Sequence, residues 1–212
     1  MNTTGPLSAG TLLFPVLHRG AGVVVVDKTT GIAVEATRDS ERSVQSLTGL
    51  LPCHRLDVET SGCLVLAETA AAHRALSAAF AEGRVEKTYL AVVQVRDEAA
   101  LHQGESRVPL GDWRRGRVQI GTGRAAHTRW KPLWIQGARA GLEIRPLTGR
   151  THQIRAHLCA ANLSIEGDPT YGGPAAPRLM LHAFRVRLPA TALSQPVEAT
   201  APAPPGFLSD EA

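Results

Sequence analysis

The chain has 212 residues, of which 43% are hydrophobic and 20% charged, with a formal net charge of +4. That length and balance bury a sizeable core and exclude a disordered or fibrous chain, and one domain is expected. The basic excess favours a polyanionic partner. No apolar run is long enough to cross a bilayer and the N-terminus lacks a secretion pattern, so a soluble, cytoplasmic protein is expected.

In chain order, residues 1–15 read as a loose lead-in, and the first strand is expected at Val23 to Asp27. A short helix over Glu41 to Leu51 precedes a loop from His54 to Gly62 and a strand from Cys63 to Ala67. Ala72, Leu76 and Phe80 recur every four residues, which predicts an amphipathic helix over Glu68 to Glu82, stopped by Gly83. Val85 to Val95 reads as a strand, with shorter ones around Val118, from Thr128 to Ile135 and from Leu142 to Leu147. Thr151 is expected to cap a helix running to about Asn162, and Leu179 to Leu188 to form another strand. The tail, with Pro196, Pro202, Pro204 and Pro205, predicts no regular element, and residues 209–212 read as disordered. Mixed strands and helices without strict alternation give an α+β domain built on a mostly antiparallel sheet. Cys53, Cys63 and Cys159 lack the paired spacing of a zinc site, so they read as buried thiols with no metal.

Two segments concentrate chemistry. His54-Arg55-Leu56-Asp57-Val58-Glu59-Thr60-Ser61-Gly62 sets a carboxylate two residues from a guanidinium in a loop of small polar groups. Gly149-Arg150-Thr151-His152-Gln153-Ile154-Arg155-Ala156-His157 opens a helix with polar groups on several faces, leaving Ile154 and Leu158 for the core. Taken singly, the first reads as a turn cap, and the second fits a solvated helix as well as it fits a site.

Together they resemble the signatures of the RluA-type pseudouridine synthases, H-R-L-D-x-x-T-S-G and G-R-T-H-Q-I-R-x-H, without a gap. The resemblance extends from about Val23 to Phe207. Val25 to Gly31 is similar to V-V-x-K-P-x-G, Lys87 to Ala91 to K-x-Y-x-A, and Gly123 to Thr128 to G-K-x-A-x-T. Ile165 to Gly172 is similar to I-x-G-D-x-x-Y-G, and Leu179 to Ala183 to L-x-L-H-A. Thr29, Ser164 and Leu188 depart from the family's usual Pro, Pro and His.

The resemblance implies a pseudouridine synthase fold over residues 16–208, with a central mostly antiparallel mixed sheet flanked by helices and loops and an active site in a cleft. It implies isomerisation of uridine in ribosomal or transfer RNA, with the base flipped out of the RNA. Asp57 would be the catalytic carboxylate, paired with Arg155, and Tyr89 the active-site tyrosine. Arg55, Arg150, His152, Gln153 and Leu181 would contact the RNA or the base, and Arg114, Arg115, Arg117 and Arg124 are candidates for phosphate contacts. Isomerisation involves no redox change, so no cofactor is expected, and a monomer without an obligate protein partner is the default. Asp168, in a G-D-P turn, reads as structural. The rival readings are a catalytically inactive RNA-binding module and a glycosidase-like hydrolase, the latter requiring a second carboxylate across the bond.

Overall fold

A computed structural model describes residues 13–36, 41–114, 116–191 and 195–209. Residues 1–12 of the expected lead-in, Arg115, and residues 210–212 of the tail lie outside the described residues.

The chain opens with a hairpin of β1 (Val16–Gly20) and β2 (Val23–Lys28), turned by Ala21 and Gly22, both at positive φ. Two such residues in succession match the twist of a tight hairpin. β1 lies upstream of the expected first strand. It is an edge strand with no fully buried position, so its sequence carries no clear alternation. Helix α1 (Val44–Thr48) is shorter than the predicted 41–51, because Ser43 and Ser46 form a capping box and Gly49 ends it in the left-handed region.

β3 (Leu51–Pro52), β4 (Ser61–Ala67), α2 (Ala70–Ala81) and β5 (Glu86–Val95) follow, with Thr69 capping α2 through the Ala72 amide. The middle then holds α3 (Glu98–Gln103), β6 (Glu105–Ser106), β7 (Leu110–Arg114), β8 (Arg117–Ile120), β9 (Thr128–Gln136) and β10 (Arg139–Pro146). After α4 (Gln153–Ala160) come β11 (Leu163–Ile165), a 3-10 turn over Pro169–Tyr171, β12 (Leu181–Leu188) and β13 (Val197–Thr200).

Two expectations need correction. The proline-rich tail does form a strand, because Pro196 and Pro202 flank β13 rather than interrupt its pairing with β12. Thr151 does not cap α4. The cap position falls on His152, at φ 51, and the helix stops at Ala160.

The α+β expectation holds. Eleven strands form one sheet with the path β1-β2-β4-β12-β5-β10-β9-β6, while β3, β11 and β13 pair off that path, and β7 and β8 form a separate hairpin. Among these strands every pairing is antiparallel except β12 with β4. Alternate valines of β2 enter opposite clusters, Val23 and Val25 joining α2 residues while Val24 and Val26 meet Val44 and Leu56. Burial of both faces explains its unbroken valine run. A larger cluster under α3 and α4 gathers Ala91, Leu142, Ile144, Ile154, Leu158 and Leu181, and Tyr89 packs against both it and the Val24 cluster. The seam that Tyr89 marks is where the cleft opens.

β12 inserts between β4 and β5, which are neighbours in sequence. At the parallel contact Gly62 (φ +106) abuts the Ala183 backbone so closely that a Cβ would overlap its carbonyl. Gly62→Ala therefore combines positive-φ strain with a backbone clash, and a loss of at least about 2 kcal/mol is expected in urea unfolding. A wild-type midpoint for that variant would show that the strands separate there at little cost.

Candidate active site

The loop between β3 and β4 carries Asp57, and its shape is set from outside. Lys28 is fully buried, and its three ammonium protons go to the carbonyls of Thr29, Ile32 and Val58 at 2.8, 2.9 and 2.9 Å. Burial lowers its pKa to about 8, opposed by Glu59 and Asp57, so it remains a cation at neutral pH. The Val58 carbonyl also accepts from the Gly31 amide, and Thr60 N–H donates to the Asp57 carbonyl. Loop and β2 turn are thus one unit, with the Asp57 side chain turned to the cleft. Ser61 closes the loop by accepting from Arg178 at 2.6 Å and sharing a hydrogen bond with His182 Nδ1 at 2.7 Å.

Arg155, in the first turns of α4, reaches the same point. Its Nη1 donates to Asp57 Oδ2 at 3.3 Å, but its fork lies on Asp168, with Nε to Oδ2 at 2.7 Å and Nη2 to Oδ1 at 2.8 Å. Asp168 is fully buried and also accepts from the Tyr171 amide. Although burial works against its charge, Asp168 and then Asp57 hold the Arg155 guanidinium above its ordinary value. The bidentate contact is the stronger one. It leaves Asp57 held end-on, with one carboxylate oxygen outside the contact.

His152 lies between them. Its Nε2 is 3.0 Å from Arg155 Nη1 and 3.7 Å from Asp57 Oδ2. Arginine only donates, so Nε2 must accept and the ring's proton sits on Nδ1, which is buried without a partner among the described residues. Burial keeps this imidazole below its usual pKa, aided by Arg155 and opposed by Asp57, so the short distance to Asp57 is no ion pair at neutral pH.

Asp57, Tyr89, Arg155, Leu181, Arg55, Arg150, His152 and Gln153 all line one cleft of about 360 Å³, within the range of small-molecule sites. Burial raises the Tyr89 phenol's pKa, with Asp57 adding to the effect, so it is protonated. Gln153 is buried and its amide is fully engaged: Oε1 accepts from the Thr148 hydroxyl and the Arg150 amide, while Nε2 donates to the His127 carbonyl and Thr128 Oγ1. It braces the cleft wall rather than offering a free amide. Arg55 and Arg150 are exposed at the rim, Arg150 donating to the Ala125 carbonyl. His54 stacks on Phe80 with ring centres 4.4 Å apart and accepts from the Val65 amide. Burial drives its pKa down to about 3, helped by Lys87.

Sequence reading missed Lys28, the His182–Ser61–Arg178 chain and the clamp made by Asp168. A lysine closing a strand that opens with a run of four valines signals the first. Asp168 had only its place in a turn, and its partner is 13 residues earlier on a helix. Among the described residues no group of three or more His, Cys, Asp or Glu is placed to hold a metal ion. Burial pushes the Cys53 and Cys63 thiols to about 12, so both are inert.

The fold, and the ordered motifs it brings to one cleft, define a pseudouridine synthase. Residues 16–160 match the sequence model of the RNA pseudouridylate synthases, and the chain belongs to that family. An RNA pseudouridine synthase of Zymomonas mobilis is 36% identical, covering 91% of this chain and 94% of its own. The dual-specificity RNA pseudouridine synthase RluA of Escherichia coli K12 is 32% identical, with 89% and 92% covered. Among solved structures, human RNA pseudouridylate synthase domain containing 1 superposes with a TM-score of 0.75 at 27% identity, covering 93% of this chain and 87% of that one.

Two outcomes test this geometry. Asp168→Asn leaves the buried Arg155 without its main counter-charge, and removing one member of such a pair costs about 3–5 kcal/mol. A fall of that size is expected in urea unfolding, and a change below about 1 kcal/mol would mean that Asp57 alone supports the guanidinium. Separately, below pH 6.5 the unfolded chain protonates His54 while the folded chain resists until about 3. The unfolded state then binds more protons, so stability declines as pH falls through that window. His54→Gln is expected to flatten that decline in denaturation series run from pH 7 to 4.

Proposed function

We propose that the cleft receives one uridine turned out of a folded RNA and that Asp57 acts at its ribose. The observation that carries this is the meeting of Asp57 with Arg155, 98 residues apart in sequence, on the wall of a cleft that Tyr89 also lines. The reaction breaks the bond from ribose C1′ to N1 of uracil, turns the ring, joins C1′ to C5, removes the C5 proton and returns one to N1. Whether the carboxylate attacks the sugar or takes a proton from it, it must be charged and aimed. Arg155 supplies a fixed counter-charge and the aim, because its fork is held on Asp168 while Nη1 donates to Asp57 and to His152.

Tyr89 has a protonated phenol and an apolar ring, suited to lying against uracil beside the carbon that loses its proton. Leu181 supplies an apolar wall. Arg55 and Arg150 at the rim suit phosphates of the distorted strand, offsetting an unstacking cost of a few kcal/mol. An isomerisation without net redox change calls on no cofactor.

We assign the substrate to ribosomal or transfer RNA, in loops whose bases are already partly splayed. The dual-specificity name of the Escherichia coli relative supports looking for more than one target. Residues 16–208 are read as one catalytic domain, working as a monomer in the cytoplasm; no helix among the described residues is long and apolar enough to cross a membrane.

The test is release of tritium from RNA labelled at C5 of uridine. Wild-type protein is expected to release it, and Asp57→Asn to lose at least about three orders of magnitude in rate. An Asn variant turning over at the wild-type rate would remove Asp57 from the chemistry. Mapping pseudouridine in RNA from a deletion strain then names the site.

A further inference from the structure

Trp113 stands apart from the chain's other tryptophans. Trp130 and Trp134 donate their indole N–H to the carbonyls of Ala100 and Phe207, and Trp130 is buried. Trp113 is 52% exposed, near the end of β7, and touches the cleft wall from outside: its ring meets His152 edge to face, centres 4.6 Å apart. His152 in turn lies edge-on to Tyr171, over whose ring the Arg155 guanidinium sits at 5.2 Å. A half-hydrated indole one ring away from Asp57 forfeits burial that a purely structural tryptophan would take.

The hairpin that carries it is rigid at its root and charged at its tip. Leu110 and Val118 are buried against Ala126, Ala156 and Tyr171, and the Val118 amide donates to the Tyr171 hydroxyl at 3.1 Å. At the tip, Arg114 and Arg117 are cross-strand partners. Like charges directly opposite destabilise a β-pair. Asp112 is the hairpin's one acid, and among the described residues neither arginine is in an ion pair. An exposed aromatic ring beside paired cations is the arrangement by which proteins hold unpaired nucleotides, ring on base and guanidinium on phosphate.

We propose that Trp113 is the stacking platform for a nucleobase flanking the target uridine, with Arg114 and Arg117 on the adjoining phosphates. This rests on the reading of the cleft as the uridine site. It makes the hairpin a determinant of which unpaired strand is accepted, because a strand whose flanking base stays paired cannot reach the indole. The indole already stands edge-on to His152 on a hairpin with a buried root, which lowers the ordering cost of stacking.

The experiment compares wild type, Trp113→Ala and Trp113→Phe on C5-tritiated total RNA from a strain lacking the gene. The Ala variant is expected to raise the apparent KM on the order of tenfold, the effect of losing one stacked base, while kcat holds within about twofold. The Phe variant keeps a stacking face and recovers most of the affinity. In parallel, titration with a ten-residue oligouridylate is expected to quench tryptophan fluorescence in wild type and not in Trp113→Phe, since Trp130 is buried and the half-buried Trp134 is bonded to the Phe207 carbonyl away from the cleft.

An unchanged KM in the Ala variant overturns the proposal, as does quenching that survives Trp113→Phe. A fall in kcat at constant KM also overturns it, by showing that Trp113 acts through His152 on the chemistry. None of these outcomes touches the uridine-site reading, which fails separately if Asp57→Asn remains active.

Discussion

The Arg155 guanidinium is shared unequally between two carboxylates, and the rest of the cleft is arranged around that inequality. Asp168 takes the fork in a fully buried, bidentate contact, and Asp57 takes one longer bond at the edge. A single carboxylate paired face to face with the arginine would be neutralised and locked. Dividing the task lets one acid bear the cost of burying the cation while the other keeps a free oxygen. His152, neutral and accepting from the same guanidinium, fills the third side without adding charge.

That arrangement depends on three lengths of chain arriving together. The Asp57 loop is fastened to β2 by the Lys28 ammonium, α4 is fastened to β9 by the Gln153 amide, and the turn with Asp168 is drawn against α4 by Arg155 itself. The Lys28 ammonium and the Gln153 amide have every proton and lone pair assigned inside the protein, and Arg155 places four of its five N–H bonds there; such groups fix position more sharply than apolar packing does. Tyr89, between two apolar clusters, is placed by packing alone.

Much of this was legible in sequence, for particular reasons. The segments bearing Asp57, Tyr89 and Arg155 are unbroken motifs, and the long strands β4, β5 and β10 are largely buried, while β9 shows through its alternation of buried and exposed positions at Thr128 to Lys131. The edge elements β1 and β13 were not, because partial exposure leaves no alternation to read and prolines flank the latter. The unequal sharing of Arg155 was beyond reach, since a G-D-P turn looks the same whether or not its carboxylate meets a guanidinium. The resemblance puts Gln153 among the RNA contacts, and a motif cannot show the four internal hydrogen bonds that commit its amide to the cleft wall. Trp113 went unremarked because a tryptophan in a short strand reads as core.

The insertion of β12 between β4 and β5 has a bearing on how the molecule is made. The Asp57 loop leads into β4 and Tyr89 lies on β5, so the two halves of the cleft leave the ribosome early and close together, yet the strand that joins them is translated about a hundred residues later. Nascent chains lacking that strand have two sheet edges exposed and an unfinished pocket. Competence toward RNA is thereby deferred until residues 181–188 have been made, and a chain stalled before them carries the Asp57 loop and Tyr89 without the strand that sets them side by side.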